Sequence, residues 1–449
     1  MEELVISNII RIAATTTHQL TGKHIRLQKD CHIICHGTLV LQDCVIYSRE
    51  KGYTGRIYGK EKCQIKMVNC TFVNFKDSEN NYFIELEEGS DAHLKGCVFD
   101  SCTRYIKFAG KLVMENCEFV NCLFHAVATR WNAANADCCI ENITIKNDAI
   151  TPGAKGAMNN VYDHERRVFH LETKKCLVSN VRISEGPEFS QKILKHREKH
   201  YSDDSYFFTC GIIENVTMEN TTMSLWSMKL IQNCKFVQCI APVRTQAEMF
   251  RGHPMVKNCV FLNCTNVINA DHRSKIEECT FSNCYGNLIE QKQFSEDGKI
   301  SVDKCKFLNC SDNTKEYGHS FKYIVRPGNA LLFFRGSKKS GTSSVKNCLI
   351  EGMVLNEGYF VATETLDRTP EHIVRVSNCE FLNCYTNRND YEIFKLSVHR
   401  YGRLGKDIND PAIRVWNCSG LNEIRNDFID DFGEIDFDED DTDDRDMCD

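Results

Sequence analysis

The sequence is poor in features that mark several common classes of protein. It has only 7 prolines and 3 tryptophans in 449 residues, and no apolar run approaches the roughly 20 residues that cross a bilayer. Its first residues, MEELVISNIIRIAATTTHQL, place two acids directly after Met1 and show no basic segment before a continuous apolar run. Because a secretory signal needs both parts, we expect a cytoplasmic protein without membrane contact.

Motifs of familiar enzyme classes are also missing. The chain has no phosphate-binding G-x-x-x-x-G-K-[ST] loop, no H-E-x-x-H metalloprotease helix and no G-x-S-x-G nucleophile turn. Hydrophobic residues make up 42% and charged residues 26% of the chain, which is typical of a soluble, foldable protein. We assign no catalytic residues, no metal and no cofactor, and we favour a protein that is not an enzyme.

Cysteine, in contrast, is abundant, with 26 residues. In a small secreted chain this content would indicate disulfides. In a long chain without a signal we expect reduced thiols that are buried as small hydrophobic groups. Structural zinc is the alternative, but its ligands usually form Cys-x2-4-Cys pairs. The cysteines here follow a Cys-x4-Cys spacing with Phe between them and no His in phase.

These cysteines belong to an internal repeat, C-x-F-x-x-C, which occurs seven times. Most copies also have Asn at the fifth position. The copies begin at Cys97, Cys117, Cys234, Cys259, Cys279, Cys305 and Cys379, and the asparagines are Asn121, Asn263, Asn283, Asn309 and Asn383. Adjacent copies start about 20 to 26 residues apart, which is the period of a repeat architecture.

The spacing within each copy predicts a short strand followed by a bend. Residues two apart in a strand point to the same face, so Cys and Phe point inward and the variable residues between them point outward. Asn suits the bend because it tolerates the left-handed conformation. One such unit cannot bury its own apolar face, so units stack into a solenoid with Phe on Phe and Cys on Cys. We expect about 14 to 16 coils.

The repeat resembles the right-handed parallel β-helix of the pectate-lyase-like superfamily over about residues 23–425. The resemblance implies an all-β fold, a single right-handed parallel β-helix with insertion loops. Enzymes of that superfamily typically carry calcium-binding acids and a basic proton acceptor on one outer face. We find no acid pairs in register that match them, so the resemblance predicts architecture rather than activity.

The chain divides into three segments on this interpretation. Residues 1–22 have apolar residues with a partly helical period and are predicted to form a short N-terminal cap, since solenoid ends must be covered. Residues 23–426 form the β-helix. Residues 427–449 form an acidic tail that is disordered or docks on a partner.

Insertions between repeats form loops, and these are the first candidates for binding. One insertion carries a basic cluster beside aromatic residues, which could bind phosphates and stack on bases; a solvated charged helix is the alternative. The cluster consists of Lys192, Lys195, His196, Arg197, Lys199 and His200. Two sets that combine acids, His and Arg could bind a partner or act in acid–base catalysis, although ordinary charged loops have similar sequences. They are Asp163, His164, Glu165, Arg166 and Arg167, and Asp271, His272 and Arg273.

The tail differs sharply from the rest of the chain in charge. It has 13 acids and one Arg, which leaves 54 basic and 49 acidic residues in positions 1–426. Aromatic and aliphatic residues lie among its first acids, a mixture typical of segments that order on binding. A solvated tail, or one that covers the last coil, is the alternative. The predicted docking residues are Phe428, Ile429, Asp430, Asp431, Phe432, Ile435 and Phe437.

Together these patterns predict a non-enzymatic scaffold that binds a protein partner through its insertion loops and its tail. A nucleic-acid-handling or defence complex is one setting for it. Two alternatives remain open at this point. One is a polysaccharide lyase or hydrolase of the pectate-lyase-like kind, and the other is a nucleic-acid binder regulated by the acidic tail. No oligomeric state follows from these patterns.

Overall fold

The computed structural model describes a solenoid of short strands. The described residues are 2–28, 31–47, 55–73, 82–102, 105–122, 126–130, 133, 136–148, 167–171, 176–187, 190, 206–222, 224–245, 253–271, 273–291, 299–312, 330–336, 342–356, 358–365, 374–386, 394–398 and 413–421.

The strands follow one another along the whole described chain. The first are β1 (Glu2–Ile6), β2 (Ile10–Ile12), β3 (Thr17–Thr21), β4 (Lys23–Leu27), β5 (Ile33–Cys35), β6 (Thr38–Gln42), β7 (Val45–Tyr47), β8 (Ile57–Gly59), β9 (Gln64–Val68), β10 (Thr71–Val73), β11 (Ile84–Leu86), β12 (Asp91–Lys95), β13 (Val98–Asp100), β14 (Ile106–Phe108) and β15 (Lys111–Glu115). Next come β16 (Glu118–Val120), β17 (Val127–Thr129), β18 (Asp137–Asn147), β19 (Arg167–His170), β20 (Cys176–Glu185), β21 (Tyr206–Glu214), β22 (Thr217–Glu219), β23 (Ser224–Gln232), β24 (Lys235–Val237), β25 (Val243–Thr245), β26 (Met255–Lys257), β27 (Val260–Leu262), β28 (Ile268–Ala270) and β29 (Lys275–Glu277). The last are β30 (Thr280–Ser282), β31 (Ile289–Gln291), β32 (Ser301–Asp303), β33 (Lys306–Leu308), β34 (Ala330–Gly336), β35 (Ser343–Lys346), β36 (Leu349–Glu351), β37 (Val354–Leu355), β38 (Tyr359–Thr365), β39 (Val374–Ser377), β40 (Glu380–Leu382), β41 (Tyr385–Thr386), β42 (Phe394–Val398) and β43 (Ile413–Trp416).

Each strand pairs in parallel with the equivalent strand of the next coil, so the chain forms a parallel β-helix with three faces. Face 1 begins with β1, β4 and β7 and carries the C-x-F repeat. Face 2 begins with β2, β5 and β8, and face 3 begins with β3, β6 and β9. Fifteen strands stack along face 1 from β1 to β40, which agrees with the expected 14 to 16 coils.

The predicted inward face of the repeat is confirmed. The rings of Phe261, Phe281 and Phe307 stack at centroid distances of 4.9 Å, and each is fully buried. The repeat cysteines lie beside them in the core. Each Cys Sγ donates to carbonyl oxygens, as Cys279 does to Val256 at 3.6 Å and to Glu277 at 3.2 Å. A thiol in this position is therefore small, buried and hydrogen-bonded.

The predicted bends are also confirmed, and a second row of bends was missed. Asn at the fifth repeat position is left-handed, with φ of 50° at Asn283. A further left-handed residue stands directly before each first inward residue of face 1, at the corner where face 3 meets face 1. This row is Gly22, Asp43, Asn69, Gly96, Asn116, Asn142, Asn180, Asn215, Asn233, Asn258, Glu278, Lys304, Asn347, Asn378 and Asn417. Every described coil therefore turns this corner with a single residue, which we call the one-residue corner.

The prediction that residues 1–22 form a separate N-terminal cap is wrong. Residues 2–21 contain the strands β1, β2 and β3, and these pair in register with β4, β5 and β6. The segment is thus the first coil of the β-helix. Ile6, Ile10 and Ile12 all pack toward the interior, although they lie on two strands joined by a short turn. Their spacing in the sequence therefore resembled a helical period.

The middle of the rod departs from the repeat. Strands β18 and β20 each continue from face 3 through Asn142 or Asn180 into face 1, and the buried Asn147 and Glu185 pair in register at their C-terminal ends. The expectation of reduced thiols is also wrong for one pair, since Cys138 and Cys176 form a disulfide between these strands. Their Cα atoms lie 4.7 Å apart because the two residues are stacked in register on neighbouring coils. The other cysteines whose side chains the structure describes are free thiols.

Candidate functional site

Most of the predicted binding residues lie outside the described residues. This holds for Lys192, Lys195, His196, Arg197, Lys199 and His200, for Asp163, His164, Glu165, Arg166 and His272, and for the tail residues Phe428, Ile429, Asp430, Asp431, Phe432, Ile435 and Phe437. Arg167 begins β19. These assignments stay predictions.

Asp271 and Arg273 are the described members of the set at 271–273, whose acid–base role stays a prediction. Asp271 is 9% exposed, and its backbone is held in a turn. Its N–H donates to Thr245 Oγ1 at 2.9 Å, and its carbonyl accepts from Ser274 Oγ at 2.7 Å. Arg273 adopts the left-handed conformation with φ of 69°. The pair thus shapes the turn that leads from face 2 to face 3.

A cluster of exposed apolar side chains lies near the C-terminal end of the described rod. The large hydrophobic residues most exposed in the described chain are Ile9, Val354, Leu382 and Tyr385, and three of these four lie at one corner. Tyr385 is 60% exposed and pairs with Val354 between β37 and β41. Leu382 lies just before the same turn, on β40.

Two further leucines extend this surface along face 1. Leu308, Glu351 and Leu382 occupy one outward column on consecutive coils, and Leu349 lies in the neighbouring column beside Glu380. We call Leu308, Leu349, Val354, Leu382 and Tyr385 the apolar corner. Contiguous exposed apolar surface in a soluble protein usually marks an interaction site.

Local turn chemistry places these side chains outside. Asn383 and Gly352 are left-handed, with φ of 52° and 63°, so the chain turns sharply after each face 1 strand. A Cβ at Gly352 would lie 2.2 Å from Asn309 Oδ1 on the coil below, so the Asn309 side chain fills the space beside this glycine. The residues on either side of the turn point outward, and here they are Leu382, Val354 and Tyr385 rather than polar residues.

Acidic side chains border the apolar corner. Glu351 stands between Leu308 and Leu382 in one outward column, and Glu380 stands beside Leu349 in the other. Both carboxylates are exposed. The exposed Lys306 lies on the other side of Leu349. The surface thus combines apolar contact area with two carboxylates and one ammonium group at its edge, and the carboxylates suit basic groups of a partner.

A second surface runs along the outside of face 2 in the middle of the rod. It is a column of one residue per coil, formed by Trp226, Arg244, Asn269, Glu290 and Phe333 in register. We call this column the aromatic-polar strip. At the stacking distance of strands it extends about 19 Å. The Arg244 guanidinium lies 5.1 Å from the centroid of the Trp226 ring, and Asn287 Nδ2 donates to Glu290 at 3.3 Å.

Burial keeps most of the described inward cysteines protonated, although hydrogen bonds from neighbouring thiols lower the pKa of Cys35 and of Cys117. Burial raises the pKa of Cys279 and of Cys305 well above the ordinary thiol value. Cys139 points outward and is half-buried, yet burial and a hydrogen bond to Glu141 at 3.2 Å raise the pKa of its thiol to about 11. Because the thiolate is the nucleophile, none of Cys139, Cys279 and Cys305 is activated at neutral pH.

Sequence reasoning missed both surfaces, although the repeat carried a signal for each. Arg244 and Asn269 stand at the same offset after the second Cys of their copies, five residues on. The apolar corner is visible as apolar letters on both sides of the Asn-Cys turn, as in LNCY at 382–385. Which residues point outward can be assigned only after the strand in each copy, and therefore its alternation of inward and outward side chains, is known.

Neither a metal cluster nor a membrane helix is found in the described part of the chain. No group of at least three His, Cys, Asp or Glu side chains there is arranged to hold a metal ion. No helix among the described residues is long and apolar enough to span a bilayer.

Comparison with known proteins gives no family. No family model matches the chain, and no curated protein matches it. Among solved structures, the chain is similar to PfbA, a surface adhesin of Streptococcus pneumoniae, at 13% identity and a TM-score of 0.30 over 84% of each chain.

Proposed function

We propose that the protein is a non-enzymatic β-helix scaffold, of the right-handed pectate-lyase-like kind, that binds a protein partner through its apolar corner and its acidic tail. The observation that carries this proposal is the grouping of Val354, Leu382 and Tyr385 on neighbouring coils. Tyrosine in the middle of an apolar patch is a frequent source of binding energy at interfaces.

The charges around the corner define the kind of partner. Glu351 and Glu380 border the apolar side chains, and the tail adds 13 acids mixed with phenylalanine and isoleucine. Residue 427 follows Leu421 by six residues, so covalent reach keeps the start of the tail within about 20 Å of the end of the described chain. Corner and tail therefore suit the same basic, apolar partner surface.

The experiment that tests this proposal compares four forms of the protein as baits in extract of the native host. They are the full chain, residues 1–426, a Leu382→Asp/Tyr385→Asp variant, and a Val45→Asp/Val73→Asp variant. The last is the matched control, because Val45 and Val73 are outward residues of face 1 far from the corner. Bound protein and nucleic acid are both identified.

The expected result is one basic protein retained in stoichiometric amount by the full chain and by the control. The corner variant and the truncated chain lose it. Identical retention by all four forms would overturn the proposal. Retention of nucleic acid only after removal of the tail would favour the alternative of a nucleic-acid binder that the tail inhibits.

We also propose that the scaffold works in the cytosol. Apart from Cys138 and Cys176, the cysteines whose side chains the structure describes are free thiols, and they support this location since reducing compartments keep cysteines unpaired. Alkylation of the protein in intact host cells, followed by mass spectrometry, tests it. Extensive disulfide pairing among the stacked cysteines of the C-x-F-x-x-C repeat would contradict it.

Glycan binding or cleavage is the second candidate function, and the aromatic-polar strip is the observation that favours it. The half-buried row of Trp226, Arg244, Asn269 and Glu290 places aromatic and polar groups in one outward column, which suits stacking and hydrogen bonds to an extended polar chain. Cleavage of polyuronides with new ultraviolet absorbance would support lyase activity. The Glu290→Gln variant should then lose it, whereas Glu85→Gln, an outward residue of the same face, should keep it.

A further inference from the structure

The N-terminal end of the described coils presents an edge of three strands. β1, β2 and β3 pair on one side with β4, β5 and β6, and no described strand pairs with their other side. Unpaired strand edges present free backbone N–H and C=O groups, which readily add further strands.

The core is incomplete at this end. Leu4, Ile10 and Leu20 are only partly buried where they pack against the core. Their in-register partners on the second coil, Ile25, Ile33 and Leu41, are each 1% exposed. The difference arises because the described strands cover the first coil on one side only, whereas the second coil is stacked between the first and the third.

The edge lacks the devices that usually block strand addition. β1, β2 and β3 contain no proline, no glycine and no bulge. The acids of β1 are neutralised from the coil below, where Lys23 pairs with Glu2 and Arg26 Nε lies 3.6 Å from Glu3. The exposed end is therefore polar at its rim and carries little repelling charge.

We propose that this end binds the same end of a second copy of the chain, which makes a head-to-head dimer about a two-fold axis across the rod. Two rods that meet head to head run their first coils in opposite senses, so β1 of one copy lies antiparallel to β1 of the other. β2 of each copy then faces β3 of the other.

The sequence of the edge is self-complementary in this arrangement. With Leu4 on the axis, Glu2 faces Ile6 and Glu3 faces Val5 of the second copy, so the acids never oppose each other. β3 has no Lys, Arg, Asp or Glu, so Arg11 of β2 meets no like charge among them. The coil of residues 2–21 is also about the size of one side of a standard interface, which has roughly 20 to 30 residues.

The first test is the mass of the full chain in solution by light scattering over a dilution series. The expected mass at high concentration is twice the chain mass of 51.6 kDa. In an Ile10→Lys/Leu20→Lys variant the new lysines oppose one another across the interface. The dissociation constant should rise about a hundredfold or more, because opposed like charges are strongly disfavoured.

Two further variants separate this interface from a general loss of folding. Ile34→Lys/Val40→Lys is the matched control, because these outward residues of the second coil avoid the end. It should remain dimeric. In Ile10→Lys/Leu20→Glu, the new lysine of each copy faces the new glutamate of the other, so dimerisation should return. That rescue is specific to β2 facing β3.

A cross-link tests the position of the axis. Leu4→Cys places two thiols on the two-fold axis at the short Cα distance of facing antiparallel residues, which suits a disulfide. Mild oxidation should give a covalent dimer, whereas Thr15→Cys in the exposed turn should not. A single-chain mass at all concentrations would overturn the proposal. So would a dimer that both the lysine pair and the cross-link leave unaffected.

Discussion

Replacement of Phe281 tests whether the aromatic column holds the coils together. Its ring is fully buried and stacks on Phe261 and on Phe307, at 4.9 Å each. Phe281→Ala should lower the stability of these coils by about 4 kcal/mol, the middle of the range for Phe to Ala in a core. Phe281→Leu keeps most of the volume but loses two ring contacts of about 1 kcal/mol each, so its cost should be about 2 kcal/mol.

The assay must report stability coil by coil, because solenoids are stabilised by contacts between neighbours and need not unfold as one unit. Native-state hydrogen exchange by mass spectrometry gives the opening free energy of peptides that cover β27, β30 and β33. The loss should be largest in those strands and small near the N-terminus. Equal costs for Ala and Leu, or costs below about 1 kcal/mol, would refute the role of ring stacking.

Three other predictions follow from the described residues and from the sequence. Reduction of the Cys138–Cys176 bond, which closes a loop of 38 residues, should lower stability by about 4 kcal/mol in denaturant titrations; no change on reduction would contradict this. Alkylation of Cys139 in the folded protein should increase about tenfold per pH unit from pH 8 to 10, because its thiol pKa is raised to about 11. A plateau near pH 9 would show an ordinary thiol. If the basic insertion binds nucleic acid, Lys195→Glu/Arg197→Glu should weaken binding and flatten its salt dependence, whereas unchanged binding would exclude that cluster.

The repeat predicted the core of the fold because stacking requires the same kind of side chain at the same inward position of every coil. Phe99, Phe119 and Phe261 all occupy the predicted inward position, and Asn263 adopts the predicted bend. The one-residue corner was missed because Asn233 or Asn258 precedes the motif rather than standing inside it. Its occupants also vary, since the same left-handed conformation is adopted by asparagine, glycine, aspartate, glutamate and lysine.

The candidate surfaces were harder to predict because each depends on residues far apart in sequence. Leu308 and Leu382 share a column across two coils of unequal length, and Glu290 and Phe333 are neighbours despite a long insertion between them. Only the register of the strands brings them together. The first coil was mistaken for a cap because apolar spacing alone does not distinguish a helix from two short strands around a turn.

The one-residue corner has a consequence for how the molecule tolerates change. A residue added between Lys257 and Cys259, for example, would shift the following strand by one position and turn its inward side chains to solvent. The other two corners differ in length from coil to coil. Between face 1 and face 2, the connection from β24 to β25 is shorter than that from β36 to β38, and between face 2 and face 3, the connection from β28 to β29 is shorter than that from β25 to β26. Foreign peptides, tags and fusion domains should therefore be accepted at those two corners along the whole rod. The edge lined by Asn233, Asn258 and their equivalents should reject them.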